Sequence, residues 1–295
     1  MSDDHRRRLF QLVVTTTGRP ELERLLTSIE NQSARDIHLV VVDQSEGDHV
    51  AALCRRHAER LAITQVRSAG GASKGRNAGI REIGAHEGGS RIVAFPDDDC
   101  WYPDTLLLDV QELLDSRPEW DGCTGRSVTA EGAESTGRWD REAGLITRGN
   151  VWRRGVAFTI FLREPVVAQV GLFDETLGPG AGTRYGAGEE TDYLLRALHE
   201  RRALLYKPEL VVHHPDKLDH LDAAAFAKSR SYGAGMGRVL RKHEYGVAFV
   251  GYTCLRPLGG AMHWLTRGRP ARARYHWESF LGRMRGAFRP DAQGD

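Results

Sequence analysis

Strand-like apolar runs alternate with stretches of helical period through the first 120 or so of 295 residues, and this constrains the fold more than anything else in the chain. Residues 9–15 are short and rich in Val and Thr, the pattern of a β-strand. After Gly18 and Pro20 the period changes. Leu22, Leu25, Leu26 and Ile29 fall on one helical face, with Pro20 near the first turn. IHLVVVD (37–43) is a continuous apolar run, as expected of a strand buried on both faces. HVAALCRRHAERL then predicts a helix, AITQVR a strand, GRNAGIREIG a short helix and RIVAFP a strand. TLLLDVQELLDS predicts a helix stopped by Pro118. Such alternation predicts an α/β fold with a Rossmann-like, mostly parallel sheet and helices on both faces. In sheets of this kind ligands bind beyond the carboxyl ends of the strands, which is where Asp43 and Asp97 lie.

Beyond residue 120 the pattern loosens. Residues 122–130 predict an extended edge strand, and 131–155, rich in Gly and Arg, predict a loop. GLFDETLGPGAGTRYGAGEETDYLLRALHER predicts a glycine-rich loop feeding a helix, and ALLYKPELVVHH predicts a pair of strands ending in histidines. No internal repeat or low-complexity linker interrupts the chain. Residues 1–222 are therefore expected to form one domain, about 9–120 its first half and 121–222 its second, with a helical extension over 223–295. At 40% hydrophobic and 27% charged the composition is that of a globular protein with a large core. The four cysteines are scattered and form no CxxC pair, so reduced thiols are expected rather than disulfides or zinc ligands. Residues 1–8 are polar and basic with no apolar region behind them. The longest weakly polar run, 247–265, carries Arg256, Pro257 and His263. Neither predicts a signal peptide or a membrane span, and a cytoplasmic location is expected, with peripheral contact at the cytoplasmic membrane face left open.

AFPDDDCWYPD (94–104) sets three aspartates directly after a buried strand. Like charges this close persist where a cation joins them or where water screens them. At a strand end they suit a hard divalent cation, Mg²⁺ or Mn²⁺, which takes oxygen ligands. The plain alternative is a solvated acidic turn. Asp43 likewise admits two readings, a ligand contact or a turn residue. Arg76 and Asn77 follow Gly70, Gly71 and Gly75, where backbone can approach a ligand and an arginine can reach it. GGASKG is not a phosphate-binding loop of the Walker type, because no Gly-Lys-Ser/Thr follows the spacer. GAGMGR (233–238) lacks a preceding strand and so does not make a dinucleotide-binding fingerprint.

VVTTTGRPELERLLTSIENQS, LVVVDQS, GGASKGRNAGI, AFPDDDCWYPDTL, VGLFDE, GAGEETDYLLRAL and PELVVHH occur in the order and spacing of the inverting family 2 glycosyltransferases. Over residues 9–216 the chain resembles that family. The resemblance implies a GT-A nucleotide-diphospho-sugar transferase fold and a nucleotide-diphosphate sugar as co-substrate. It also implies a divalent metal, Mn²⁺ or Mg²⁺, on the diphosphate, and a glycan or lipid-linked acceptor in cell-surface polysaccharide or glycoconjugate synthesis. Asp97 and Asp98 would contact the sugar or ribose, and Asp99 would ligate the metal, with Asp97 a second candidate ligand. Thr16, Arg19 and Asp43 would form a base-and-ribose pocket, with Arg76 and Asn77 toward the same donor. His214 resembles a histidine that lies by the metal or diphosphate. At the start of the helix after the glycine-rich loop the family usually has Glu-Asp, the second residue acting as general base. This chain has Glu189-Glu190 there, so Glu190 is the expected base and Asp192 its nearest competitor. A helix N-terminus favours carboxylates in either role, and a helix cap is the alternative for Glu189 and Thr191.

A net charge of +1 hides an asymmetry. Residues 223–295 hold thirteen Lys/Arg against four acids, which leaves the rest of the chain strongly acidic. Within that extension Ala273, Trp277, Leu281, Met284 and Phe288 recur at helical spacing, with Arg272, Arg274, Arg283 and Arg285 off the stripe. Three partners fit such a stripe: the catalytic domain itself, an anionic membrane, or a second subunit in a homodimer. Nucleic acid is not expected, since the aromatics follow core spacing rather than an exposed stacking platform. Two other functions stay open. A nucleotidyltransferase would show a basic, glycine-rich loop after the first strand, where this chain has TTTGRPE. A nucleotide- or glycan-binding protein on the same scaffold would bind without turnover.

Overall fold

The computed structural model describes residues 9–84, 91–215 and 221–289. Residues 1–8, on which the signal-peptide reading rests, lie outside them, as do 216–220, next to the expected boundary at 222. The chain forms two compact units. One takes 1–70, 74–173 and 193–216, and the other takes 71–73, 174–192 and 217–295. The loop 174–188 and the start of the helix after it thus group with the C-terminal extension.

The first unit is built on an eight-stranded sheet. Its strands are β1 (Phe10–Thr16), β2 (Ile37–Asp43), β3 (Ala62–Arg67), β4 (Ile92–Ala94), β5 (Gly122–Val128), β6 (Gly144–Leu145), β7 (Ile160–Arg163) and β8 (Leu204–His213). Their order across the sheet is β3-β2-β1-β4-β7-β5-β8-β6. β1 to β4 pair in parallel, while β7 runs antiparallel to both β4 and β5. β5 and its parallel neighbour β8 therefore run with β1 again. The carboxyl ends of β1, β2, β4, β5 and β8 open along one edge of the sheet.

The helices α1 (Leu22–Glu30), α2 (His49–His57), α3 (Ala72–Ile83), α4 (Leu106–Ser116), α5 (Glu164–Val170) and α6 (Glu189–His199) follow the strands. Alternation along β1 sends Phe10, Leu12 and Val14 to one face, where they join Leu39 and Val41 of β2 and the apolar sides of α1, α2 and α4 in one cluster. The leucines at 22, 25 and 26 and Ile29 are buried there, as their spacing predicts. On the other face α3 lies directly on β1. A Cβ at Gly79 would sit 2.1 Å from Val13 Cγ1, and one at Gly75 2.4 Å from Thr15 Cγ2. Gly75, whose missing side chain the sequence suggests as room for a ligand, makes room for the sheet instead.

Three expectations for the second half change. β5 is not an edge strand, because it lies between β7 and β8. β7 and α5 occupy residues 160–170, where no element is expected. They are too short to show a period, but Pro165 starts α5 and Gly171, at φ 75°, ends it. ALLYKPELVVHH forms one ten-residue strand rather than two. Pro208 has no N–H to give the ladder, and it falls where the pairing with β5 slips register at Thr124/Arg126. The Arg126 Nε–H donates to the Pro208 carbonyl at 2.8 Å across that slip.

The second unit contains α7 (Ala223–Lys242), α8 (Val247–Thr266) and α9 (Pro270–Phe288). α7 starts on Asp222, whose carboxylate accepts from the Ala225 N–H at 2.8 Å. α7 and α9 pack with their backbones in contact. A Cβ at Gly237 would lie 2.2 Å from the Arg283 carbonyl oxygen, and one at Gly286 2.0 Å from that of Ala234. GAGMGR is thus a helix-packing surface. The buried face of α9 is Ala273, Glu278, Gly282, Gly286 and Ala287, and Trp277 and Phe288 of the predicted stripe are exposed.

Candidate active site

The aspartate cluster is pinned to the sheet edge from two sides. Asp97 forms an isolated parallel bridge with Thr15 at the end of β1, and Trp101 bridges His213 at the end of β8. Residues 97–99 are thereby held between two strand ends far apart in sequence, and His214, the next residue after β8, arrives beside them. The carboxylate and imidazole ligand atoms of Asp97, Asp99 and His214 all lie within 4.8 Å of one another.

Each carboxylate has its own partners. Arg76, buried at the start of α3, donates to Asp97 Oδ1 at 2.9 Å. The Thr16 hydroxyl donates to Asp98 Oδ2 at 2.8 Å, and Arg19 donates to Asp98 Oδ1 at 3.3 Å and Asp99 Oδ2 at 2.9 Å. Arg24 donates to the Asp99 carbonyl and lies 3.6 Å over the Trp101 ring. Burial pushes the Asp98 carboxyl up to about 6. The Thr16 hydrogen bond and Arg19 pull it down, and Asp99 and Asp97 push it up again. Three neighbouring carboxylates thus sit at an edge where arginines only partly offset their charge.

The geometry of His214 tests whether a cation fits. Its Nδ1 lies 2.7 Å from the Pro215 carbonyl, which can only accept, so Nδ1 carries a proton. Its Nε2 faces Asp99 Oδ1 at 3.1 Å. In a neutral imidazole that places two lone pairs against each other, which a proton or a metal ion between them resolves. Phe158 stacks on the ring at 4.8 Å and 8° and fixes its plane. Two carboxylate oxygens and one imidazole nitrogen make a donor set for Mn²⁺ or Mg²⁺, and the residues present fit the ion.

Of the residues named from sequence, the structure brings together Thr16, Arg19, Arg76, Asp97, Asp98, Asp99 and His214. Asp43 stands beside Thr16 in the β1–β2 ladder, while Asn77 is engaged elsewhere. Asp43, fully buried at the end of β2, accepts from the Ser45 N–H and hydroxyl through Oδ1, as a turn residue does, and meets Gln65 and Arg67 of β3 through Oδ2. Asn77 pairs both ends of its amide with the Phe173 backbone at 2.7 and 3.0 Å. Glu190 and Asp192 belong to the second unit, in the first turn of α6 after Gly188, whose φ is +96°. Glu190 is half-buried. Asp192 is fully buried and its Oδ1 meets Lys242 Nζ and His243 Nε2, each at 2.8 Å, from the end of α7. Arg24, Trp101 and Phe158 shape the site without having been anticipated. Their stacking joins distant segments and leaves no local signal.

A family model described as "Glycosyl transferase family 2" matches residues 12–167. Among solved structures, the mannosyltransferase PcManGT from Pyrobaculum calidifontis, in complex with GDP-Man and Mn²⁺, is similar with a TM-score of 0.62 at 15% identity, over 96% of this chain and 88% of that one. S. aureus TarS is similar with a TM-score of 0.57 at 13% identity, and the match covers 94% of this chain but 55% of that one. The TarS 1–349 fragment in complex with UDP-GlcNAc has a TM-score of 0.57 at 14% identity, covering 94% of this chain and 90% of that one. At these identities the likeness is one of fold. No curated protein sequence matches the chain.

Proposed function

Because the chain belongs to glycosyl transferase family 2 and has its GT-A fold, we propose that it moves a sugar from a nucleotide-diphosphate donor to an acceptor hydroxyl, with inversion, using a divalent metal. One observation carries the metal and donor assignments: Asp97, Asp99 and His214 converge at the carboxyl edge of the sheet. The complexes of the structural neighbours with GDP-Man and Mn²⁺ and with UDP-GlcNAc support a donor of this class.

In this reading Asp99 and His214, with Asp97, would hold the metal, which when bound would supply charge to neutralise the leaving diphosphate. Arg76 holds Asp97 in place, and Thr16 and Arg19 hold Asp98 for the ribose or sugar hydroxyls. Glu190 takes the proton of the acceptor hydroxyl as its oxygen bonds to the anomeric carbon. The bond from that carbon to the diphosphate oxygen breaks on the opposite side, so the configuration inverts in one displacement. Asp192 is engaged by Lys242 and His243, and the family resemblance puts the base at the second residue of the pair, Glu190. A glycan or lipid-linked acceptor in cell-surface glycoconjugate synthesis follows from the family resemblance.

Glu190→Gln tests the mechanism. The amide keeps size and polarity but takes no proton, so transfer should fall about 10²–10⁴-fold, chiefly in kcat, with donor binding retained. Near wild-type turnover in this variant would remove Glu190 from the role.

A further inference from the structure

Helix α8 exposes what a helix in water ordinarily hides. Its buried line is Val250, Cys254 and Pro257, spaced by four and three, on the side where α9 packs and the Arg283 guanidinium donates to the Thr253 carbonyl. The far side carries Tyr252, Leu255 and Met262, again spaced by three and seven, at 68, 53 and 69% exposure. Val247 and Leu265 flank them at 87 and 64%. Scattered exposed apolar residues are normal, but five large ones on a single helix form a patch that marks a contact surface.

The charges around the patch are mostly of one sign, Glu244 just before α8 being the exception. α8 contains no acid, and its one ionic residue is Arg256. The turn into α9 and its first residues add Arg267, Arg269 and Arg272, all exposed. From Tyr245 to Arg289 the single acid is Glu278. It is buried and already paired with Arg230 at 2.5 Å. A second copy docking through the same face would set the four arginines Arg256, Arg267, Arg269 and Arg272 against their own copies, with Glu244, exposed three residues before α8, the one described acid beside them that stays exposed. A transmembrane course is excluded for this helix, since among the described residues none is long and apolar enough to cross a membrane. An anionic bilayer surface answers both features, with acyl chains taking the apolar side and headgroup phosphates taking the guanidinium groups. Arg272 lies 4.6 Å over the Trp264 ring, a cation and an indole side by side, as suits that interface.

We infer that α8 lies in the plane of an anionic membrane surface, with Tyr252, Leu255 and Met262 inserted among the acyl chains and Arg256, Arg267, Arg269 and Arg272 at the phosphates. The inference rests on none of the catalytic assignments, and its test reads no sugar transfer.

The test is co-sedimentation of the full chain with phosphatidylcholine vesicles and with vesicles that also contain phosphatidylglycerol, at low and high salt. The protein is expected to pellet with the anionic vesicles at low salt and much less at high salt, where charges beyond a few ångströms are screened. Tyr252→Ser/Leu255→Ser/Met262→Ser should lower the partition coefficient more than about tenfold. The variant's circular dichroism and light scattering should match the wild type. No preference of the wild type for anionic vesicles would overturn the inference, as would undiminished pelleting of the folded triple variant. A dimer that the triple variant dissolves, without vesicle binding, would make the face a self-interface instead.

Discussion

At the level of single residues the site is a problem of placing like charges. Asp97, Asp98 and Asp99 stay together because Arg76, Arg19 and His214 each take one side of the cluster, and because burial raises the Asp98 carboxyl to about 6, which eases the charge it adds. If Asp99 and His214 ligate the metal, Asp99→Asn and His214→Asn should each weaken Mn²⁺ binding, measured by calorimetry without any sugar, by at least the about 10–100-fold typical of outer-shell changes. Unchanged Mn²⁺ affinity in both variants would leave the cluster as an arginine-paired turn. Aspartates after a buried strand and a histidine closing another are visible as residue types in the sequence, and so both could be named from it. The bond of Asp43 to Gln65 was not visible, because Gln65 stands on a different strand and only the β2–β3 register brings it there.

Among the elements, the C-terminal helices depart most from their sequence pattern. Apolar spacing along α9 selects Ala273, Trp277, Leu281, Met284 and Phe288, yet the side that packs is lined by glycine and alanine. Small residues let two backbones approach closely, and hydropathy periodicity is blind to that. The consequence is measurable. Gly286→Ala should destabilise the fold by about 1–3 kcal/mol in chemical denaturation, since its Cβ would sit 2.0 Å from the Ala234 carbonyl oxygen and backbone would have to move. Gly251→Ala in α8 meets nothing within 4 Å, and there the helix propensity of alanine should give a gain of up to about 1 kcal/mol. Equal effects at the two positions would mean that α7 and α9 do not pack through these glycines. The same blindness hid the exposed apolar residues of α8, which stand in addition to Trp277 and Phe288 of the α9 stripe.

For the molecule as a whole, donor binding should register as stability. A nucleoside diphosphate at about 100 times its dissociation constant adds roughly 2.7 kcal/mol to the folded state. With Mn²⁺ present, the melting temperature should therefore rise by several degrees, and chelation should abolish the rise. Running UDP and GDP in parallel would identify the base. A shift that persists in chelator would separate diphosphate binding from the Asp97, Asp99 and His214 cluster.

The sequence by itself determined the parallel part of the sheet, β1 to β4, and the strand ends at which the candidate site is proposed. Local period distinguishes a strand from a helix, strict alternation of the two implies a parallel sheet, and a parallel sheet puts Thr16 and Asp97 at one edge. The tertiary structure alone decided that β7 is inserted antiparallel between β4 and β5, since four residues carry too little period to announce a strand. It also decided that Asn77 grips Phe173, that Asp192 is held by Lys242 and His243, and that glycines rather than aromatics join α7 to α9. Each of these depends on which distant segment arrives beside a residue, and a pattern read along the chain contains no term for that.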